Sequence, residues 1–151
     1  MDEEVLQRGY TQAEAAIARL NDTIVRYQSA DDDIIRDAMI QRFEFSYELL
    51  WKLFRKIHIL RGVERSKVRA AYECIAEAGA AGWLKNRAVW EHMRVDRNVT
   101  SHEYDMHAAQ AIIPRIIADY APEMQRVLAY LKTHYIDQTP FDKWIDRAEK
   151  N

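Results

Sequence analysis

The chain has 151 residues, 48% hydrophobic and 30% charged, with 22 Lys+Arg against 24 Asp+Glu. That length and apolar content exclude an intrinsically disordered chain and fit one domain better than two. Four glycines, three prolines and the single Cys74 exclude a glycine-rich phosphate loop, a disulfide framework and a cysteine zinc cage.

The net charge of −2 hides an asymmetry. Residues 52–97 hold 11 Lys+Arg and 5 Asp+Glu, a balance of +6, and the rest of the chain balances at −8. A basic middle permits a local phosphate or nucleic-acid site. Scattered charge on solvated helix faces gives the same pattern. No window of 18 uncharged apolar residues is present, so no membrane span is expected. The start Met1-Asp2-Glu3-Glu4 lacks the basic and apolar regions of a signal peptide, and the expected setting is a reducing cytoplasm.

Apolar residues recur at helical spacing almost throughout. Tyr10, Ala13, Ile17, Leu20, Ile24 and Tyr27 form the stripe of a first helix. Asp31, Asp32 and Asp33 then open a second, where carboxylates suit the helix dipole. This helix runs roughly from Asp32 to Leu60 and stops at Gly62. Ile35, Met39, Phe43, Tyr47, Leu50, Phe54 and Ile57 line one side of it. Phe45, Leu49, Leu53 and Leu60 widen the apolar arc beyond one bundle seam, so part of this helix is expected to face a second subunit. Glu44 and Glu48 are a like pair at four, and Glu48–Lys52 a favourable one.

A short helix is expected over roughly Lys67–Ala78, with Ser66 as its N-cap, followed by a loop bracketed by Gly79 and Gly82. The next helix is placed at Trp83–Arg97. A last long helix is placed from Ser101 past Leu131, with Pro114 and Pro122 bending it. Phe141, Trp144 and Ile145 suggest a small docked helix in the tail. The fold class is therefore all-α, an up-and-down bundle of four to five helices. A main domain is expected over 1–135, with a C-terminal extension over 136–151.

Residues 96–105 carry the chemistry. Thr100 and Glu103 have capping-box spacing, and Val99 with Tyr104 the spacing of a hydrophobic staple. One helix should therefore break near Asn98 and another restart near Ser101. That places His102 in a first turn, where backbone N–H groups favour an anion, with Arg97 able to reach the same anion through its fork. Such a grouping suits metal-free RNA cleavage. An imidazole can take the ribose 2′-hydroxyl proton or return one to the leaving oxygen, and a guanidinium can stabilise the phosphorane. Asn98, four residues before His102, can orient a ring or hold a phosphate oxygen. A two-fold dimer would bring two copies of the pair into one groove. The alternative is that these residues only cap a helix, with Arg97 paired to Asp96 or Asp105.

The run Arg97-Asn98-Val99-Thr100-Ser101-His102-Glu103-Tyr104 resembles the R-x4-H-x-Y signature of HEPN-domain proteins, in particular the small helical subunits paired with a minimal nucleotidyltransferase (MNT). Arg42-Phe43-Glu44-Phe45-Ser46-Tyr47-Glu48-Leu49-Leu50-Trp51-Lys52 resembles that group's second helix. Trp90-Glu91-His92-Met93-Arg94-Val95-Asp96 resembles the run into the signature. The resemblance covers roughly residues 5–135. It implies a bundle that dimerises through its long helices, with two alternative roles. One is the RNase toxin of a toxin–antitoxin pair. Arg97 and His102 would then be catalytic, Asn98 supporting, and Tyr104 the tyrosine that the MNT antitoxin modifies with AMP. The other is a non-catalytic substrate-binding subunit of a two-chain nucleotidyltransferase. Gly9, Gly62, Gly79 and Gly82 form no phosphate loop, so the transferase would be another polypeptide. The expected partners are a second copy of this chain, the MNT protein and RNA. No cofactor, metal site or membrane is expected.

Outside the signature, His58, His92, His107 and His134 read as surface or packing residues, with His92 a candidate for the groove. Cys74 reads as a buried, inert thiol. Trp90 is the one tryptophan kept as a candidate for base stacking.

Overall fold

A computed structural model describes residues 3–102, 106–140 and 144; of 101, 102 and 106 it describes the backbone alone. Five helices build the bundle. α1 spans Glu3–Ser29, α2 Asp33–Leu60, α3 Ala71–Ala80 and α4 Arg87–His102. α5 runs over Met106–Arg115, widens into a π turn at Ile116–Tyr120 and continues over Ala121–His134. Short 3-10 turns lie at Arg65–Lys67 and Ile136–Gln138. Strands are absent among the described residues.

α1 and α2 pack along their lengths as an antiparallel pair, joined by a tight turn that the sequence encodes. Asp32 is the N-cap of α2, its carboxylate accepting the Ile35 N–H at 2.9 Å. Asp31 holds Arg36 at 2.7 Å. Two later helices end on glycines with positive φ, Gly62 (97°) after α2 and Gly82 (81°) after α3. At each, the following N–H reaches back to a helix carbonyl, Val63 to His58 and Trp83 to Ala78, a closure that needs the left-handed glycine.

The expected stripes meet in one core. Tyr10, Ala13, Ile17 and Leu20 of α1 are buried with Met39, Phe43, Tyr47, Leu50, Phe54 and Ile57 of α2. Ile112, Ile116, Tyr120, Met124, Val127, Leu128 and Leu131 of α5 close the third side. Phe43 stacks on Tyr120 with ring centroids 5.5 Å apart. Leu53, expected on the outward arc of α2, is fully buried, whereas Phe45 is 62% exposed. Cys74 is buried as expected, and burial pushes its thiol up to about 11.

Four boundaries differ from the sequence expectation. α3 starts at Ala71, because Ser66 is taken into the 3-10 turn. The Glu73 carboxylate caps α3 instead, accepting the N–H groups of Arg69 (3.1 Å) and Ala70 (3.0 Å). α4 starts at Arg87 rather than Trp83, with Asn86 accepting the Ala88 N–H at 3.0 Å. Trp83 is instead a fully buried anchor of the connecting segment, its ring stacked 4.5 Å from His58. α4 does not break at Asn98 but continues to His102. Thr100 therefore sits inside a helix and is no N-cap; its hydroxyl donates to the Arg97 carbonyl at 2.9 Å. α5 accordingly starts at Met106, not Ser101.

Both prolines lie within the long α5 without breaking it. Pro122 cannot donate to the carbonyl four residues earlier, and the π turn between the prolines absorbs the mismatch, with Ala121 N–H bonded to the Ile116 carbonyl. In the tail, Trp144 is buried, and its indole N–H donates to the Tyr135 carbonyl at 2.9 Å. Phe141 and Ile145 lie outside the described residues.

A candidate phosphate groove along helix α4

Arg97 leaves α4 toward α2, not toward its sequence neighbours. Its two terminal nitrogens meet Glu44 at 3.6 Å and Glu48 at 3.3 Å. The like pair at four on α2 is thus bridged by one guanidinium, which accounts for a spacing that is unfavourable in an isolated helix. Glu48 also accepts the Trp51 indole N–H at 3.1 Å and has Lys52 at 3.9 Å. Arg97 is held, with 18% of its side chain still exposed.

Asp96, one of the two partners that the helix-capping alternative gave Arg97, points the other way. It is 8% exposed and takes the Arg115 fork at 2.7 and 3.1 Å, together with the hydroxyl of Tyr120. Successive residues of α4 therefore clamp it on two sides, Asp96 to the π turn and Arg97 to α2. Burial, then the Asp96 carboxylate, pushes the Tyr120 phenol well above its ordinary range, so it remains a donor.

Arg97 and Asn98 line an open groove of about 480 Å³ between α2, α3 and α4, with Tyr47, Tyr72 and Arg94 among its other walls. The Tyr47 hydroxyl is buried there with no hydrogen-bond partner among the described residues. Burial raises its pKa, Glu48 adds to the rise, and Arg94 and Arg97 oppose it. The groove thus offers guanidinium donors to an oxyanion, with the Tyr47 phenol buried in its wall.

The backbone of His102 ends α4. An unbroken helix puts position 102 one turn beyond Asn98 on the same face, and about 140° around the axis from position 97. Asn98 and position 102 therefore share a face that Arg97 flanks. Tyr104, the capping candidate Glu103 and Asp105 lie outside the described residues.

Two sequence candidates change role. Trp90 is 1% exposed and donates its indole N–H to Glu123 at 3.2 Å, so it is a core residue rather than a stacking platform. His92 is exposed on α4 but is not a wall of this groove. Tyr47, read only as core, and Arg94 and Tyr72 were missed as groove residues. Tyr72 is 61% exposed on α3. Its signal was a large aromatic placed off the Cys74–Ile75–Ala78 stripe of an alanine-rich helix.

Among the described residues, no three His, Cys, Asp or Glu side chains gather as metal ligands, and no helix is long and apolar enough to cross a membrane.

Residues 8–133 match the protein family described as nucleotidyltransferase substrate binding protein like. A Haemophilus influenzae protein named "Probable ribonuclease HepT" is 28% identical over 131 residues, which cover 79% of this chain and 88% of that protein. A crystal structure of a Thermus thermophilus protein superposes with a TM-score of 0.64 at 31% identity, covering 80% of this chain and 98% of that one.

Proposed function

Because this chain belongs to the nucleotidyltransferase substrate-binding-protein-like family of HEPN-domain proteins, we propose that it is a metal-independent endoribonuclease toxin, paired with a minimal nucleotidyltransferase that silences it by AMP transfer to Tyr104. The observation that carries this reading is the groove wall. Arg97 and Asn98 border one open cleft, a single helical turn before position 102.

In the proposed reaction His102 removes the proton of a ribose 2′-hydroxyl, and the oxygen attacks the adjacent phosphorus. The bond to the 5′-oxygen breaks, and that oxygen leaves with a proton. Arg97 stabilises the charge on the phosphorane, and Asn98 positions a phosphate oxygen. One imidazole per copy is thin for both proton transfers, and a two-fold homodimer supplies the second. AMP on Tyr104 would place a bulky negative group two residues from His102 and oppose RNA phosphate.

The test is cleavage of RNA in excess EDTA by the wild type, beside His102→Ala and Arg97→Ala proteins shown to be folded. Cleavage by the wild type, reduced at least about 100-fold in each variant, is expected. Cleavage by all three proteins would move the chemistry elsewhere.

The second reading, a non-catalytic subunit that presents substrate to the transferase, draws on the family's description and on the two carboxylates that hold Arg97. Absence of cleavage by wild type whose intact mass shows an unmodified Tyr104 would favour it.

A further inference from the structure

A second cavity of about 600 Å³ lies beside the signature groove, between α3 and α4. Tyr72 and Arg94 line both, so the two form one continuous track past the signature. Arg87 stands at its far end. We propose that this track binds the single-stranded RNA flanking the cleaved bond, with a base stacked on Tyr72 and phosphates on Arg87 and Arg94. The inference rests on the ribonuclease reading and names where its substrate continues.

Three observations favour a polyanion with π faces. Tyr72 is a large exposed ring without an aromatic partner among the described contacts, on a helix whose other side is core. Base stacking on such a ring tolerates any sequence. Second, Arg87 and Arg94 lie two helical turns apart on α4 and Arg97 follows one turn later, so cations recur along both cavities, and exposed Arg65, Lys67 and Arg69 lead the chain into α3. Third, the Arg87 stem lies across Gly79 of α3, where a Cβ would meet its Cδ at 3.2 Å and its Nε at 3.3 Å. The glycine lets that arginine lie flat over α3, which limits its freedom before any ligand arrives.

Glu91 is the local opponent. Its carboxylate holds Arg94 at 2.5 Å, but it is 61% exposed, and exposed pairs of this kind hold weakly. A phosphodiester can take its place. Removing the Glu91 charge should therefore tighten RNA binding, a sign opposite to that of the other substitutions.

The experiment is fluorescence anisotropy of a labelled oligouridylate of about 12 nucleotides, with full-length His102→Ala as the parent. Tyr72→Ala should weaken binding at least about fivefold, and Tyr72→Phe should restore it to within about twofold. Arg87→Gln should weaken binding and lower the salt slope by about 0.7. Glu91→Gln should tighten binding about threefold. Circular dichroism checks that each variant is folded. Unchanged affinity in Tyr72→Ala, or equal loss in Tyr72→Phe, overturns the inference. If wild type still cleaves RNA, the ribonuclease reading survives that result. If wild type neither cleaves nor binds RNA, both fall.

Discussion

Two buried or half-buried side chains illustrate how charge is managed one residue at a time. Arg97 offsets the repulsion of Glu44 and Glu48, and the three form a unit although they are far apart in the chain. His58 is the opposite case, a titratable ring kept neutral. Its Nε2 lies 2.9 Å from the Cys74 carbonyl and its Nδ1 accepts from Arg61 at 3.2 Å, so the proton sits on Nε2. Burial pulls its pKa down to about 4, the Cys74 carbonyl opposes that shift, and Arg61 adds to it. In the unfolded chain the ring titrates near the ordinary 6.5. As pH falls below about 6.5, the unfolded chain binds a proton that the native ring refuses. Stability is therefore lost from about pH 6.5 down to about 4, at no more than about 1.4 kcal/mol per pH unit, and this contribution levels off below. Glutamine keeps one donor and one acceptor at this site without titrating. Urea midpoints at pH 7, 6 and 5 should therefore fall less steeply for His58→Gln than for wild type. Parallel slopes would mean that His58 is not the group responsible.

At the level of elements, the first two helices were legible to their ends, and the helix boundaries from α3 onward were not. The stripes of α1 and α2 and the Asp32 and Gly62 signals are local, and the structure keeps them. The break expected at Asn98 failed because the signal was ambiguous. A threonine hydroxyl can cap a helix or bond back to a carbonyl within one, and Thr100 does the second. What holds α4 in place was illegible for a different reason. Asp96 finds Arg115 and Tyr120 nineteen and twenty-four residues away, and no local pattern announces that pairing. This clasp fixes the end of α4 that carries Arg97 and Asn98. Asp96→Ala should destabilise the protein by about 2 kcal/mol. Most of that is the cost of leaving the buried Tyr120 hydroxyl without an acceptor, since Arg115 is partly exposed and can turn to water. Asp96→Asn retains an acceptor and should cost about half as much. Urea denaturation measures both, and amide exchange at 97–102 should quicken in the alanine variant. An alanine variant as stable as wild type would show that α4 is held by its core contacts alone.

For the whole molecule, the candidate site is legible as residue types and illegible as a place. Arg97, Asn98 and His102 could be named from the sequence, but the groove needs α2, α3 and α4 together, and Tyr72 enters only through that packing. The same holds for self-association. The wide arc of α2 pointed to a second subunit, yet of its four residues Leu53 turns into the protein's own core and Phe45 is left exposed. Phe45 and Leu49 border a shallow cavity of about 590 Å³ with Ala15, Ala16, Arg19 and Arg42. An isologous two-fold contact on this face would place Phe45 beside its own copy and bury the apolar strip on both sides. Glu44 and Phe45 are consecutive in α2 and point about 100° apart, so a contact through Phe45 leaves the Arg97 site on the flank of the same helix. Phe45→Glu puts two carboxylates face to face across such an axis. On the proposed homodimer, sedimentation velocity is expected to give a dimer for wild type and a monomer of unchanged helicity for Phe45→Glu. On the proposed ribonuclease reading, RNA cleavage is expected to fall at least tenfold, about 1.4 kcal/mol of barrier, although neither Arg97 nor His102 has been touched. A Phe45→Glu protein that remains dimeric and active would remove this face from the interface. A monomer that still cleaves at the wild-type rate would mean that one copy supplies both the acid and the base.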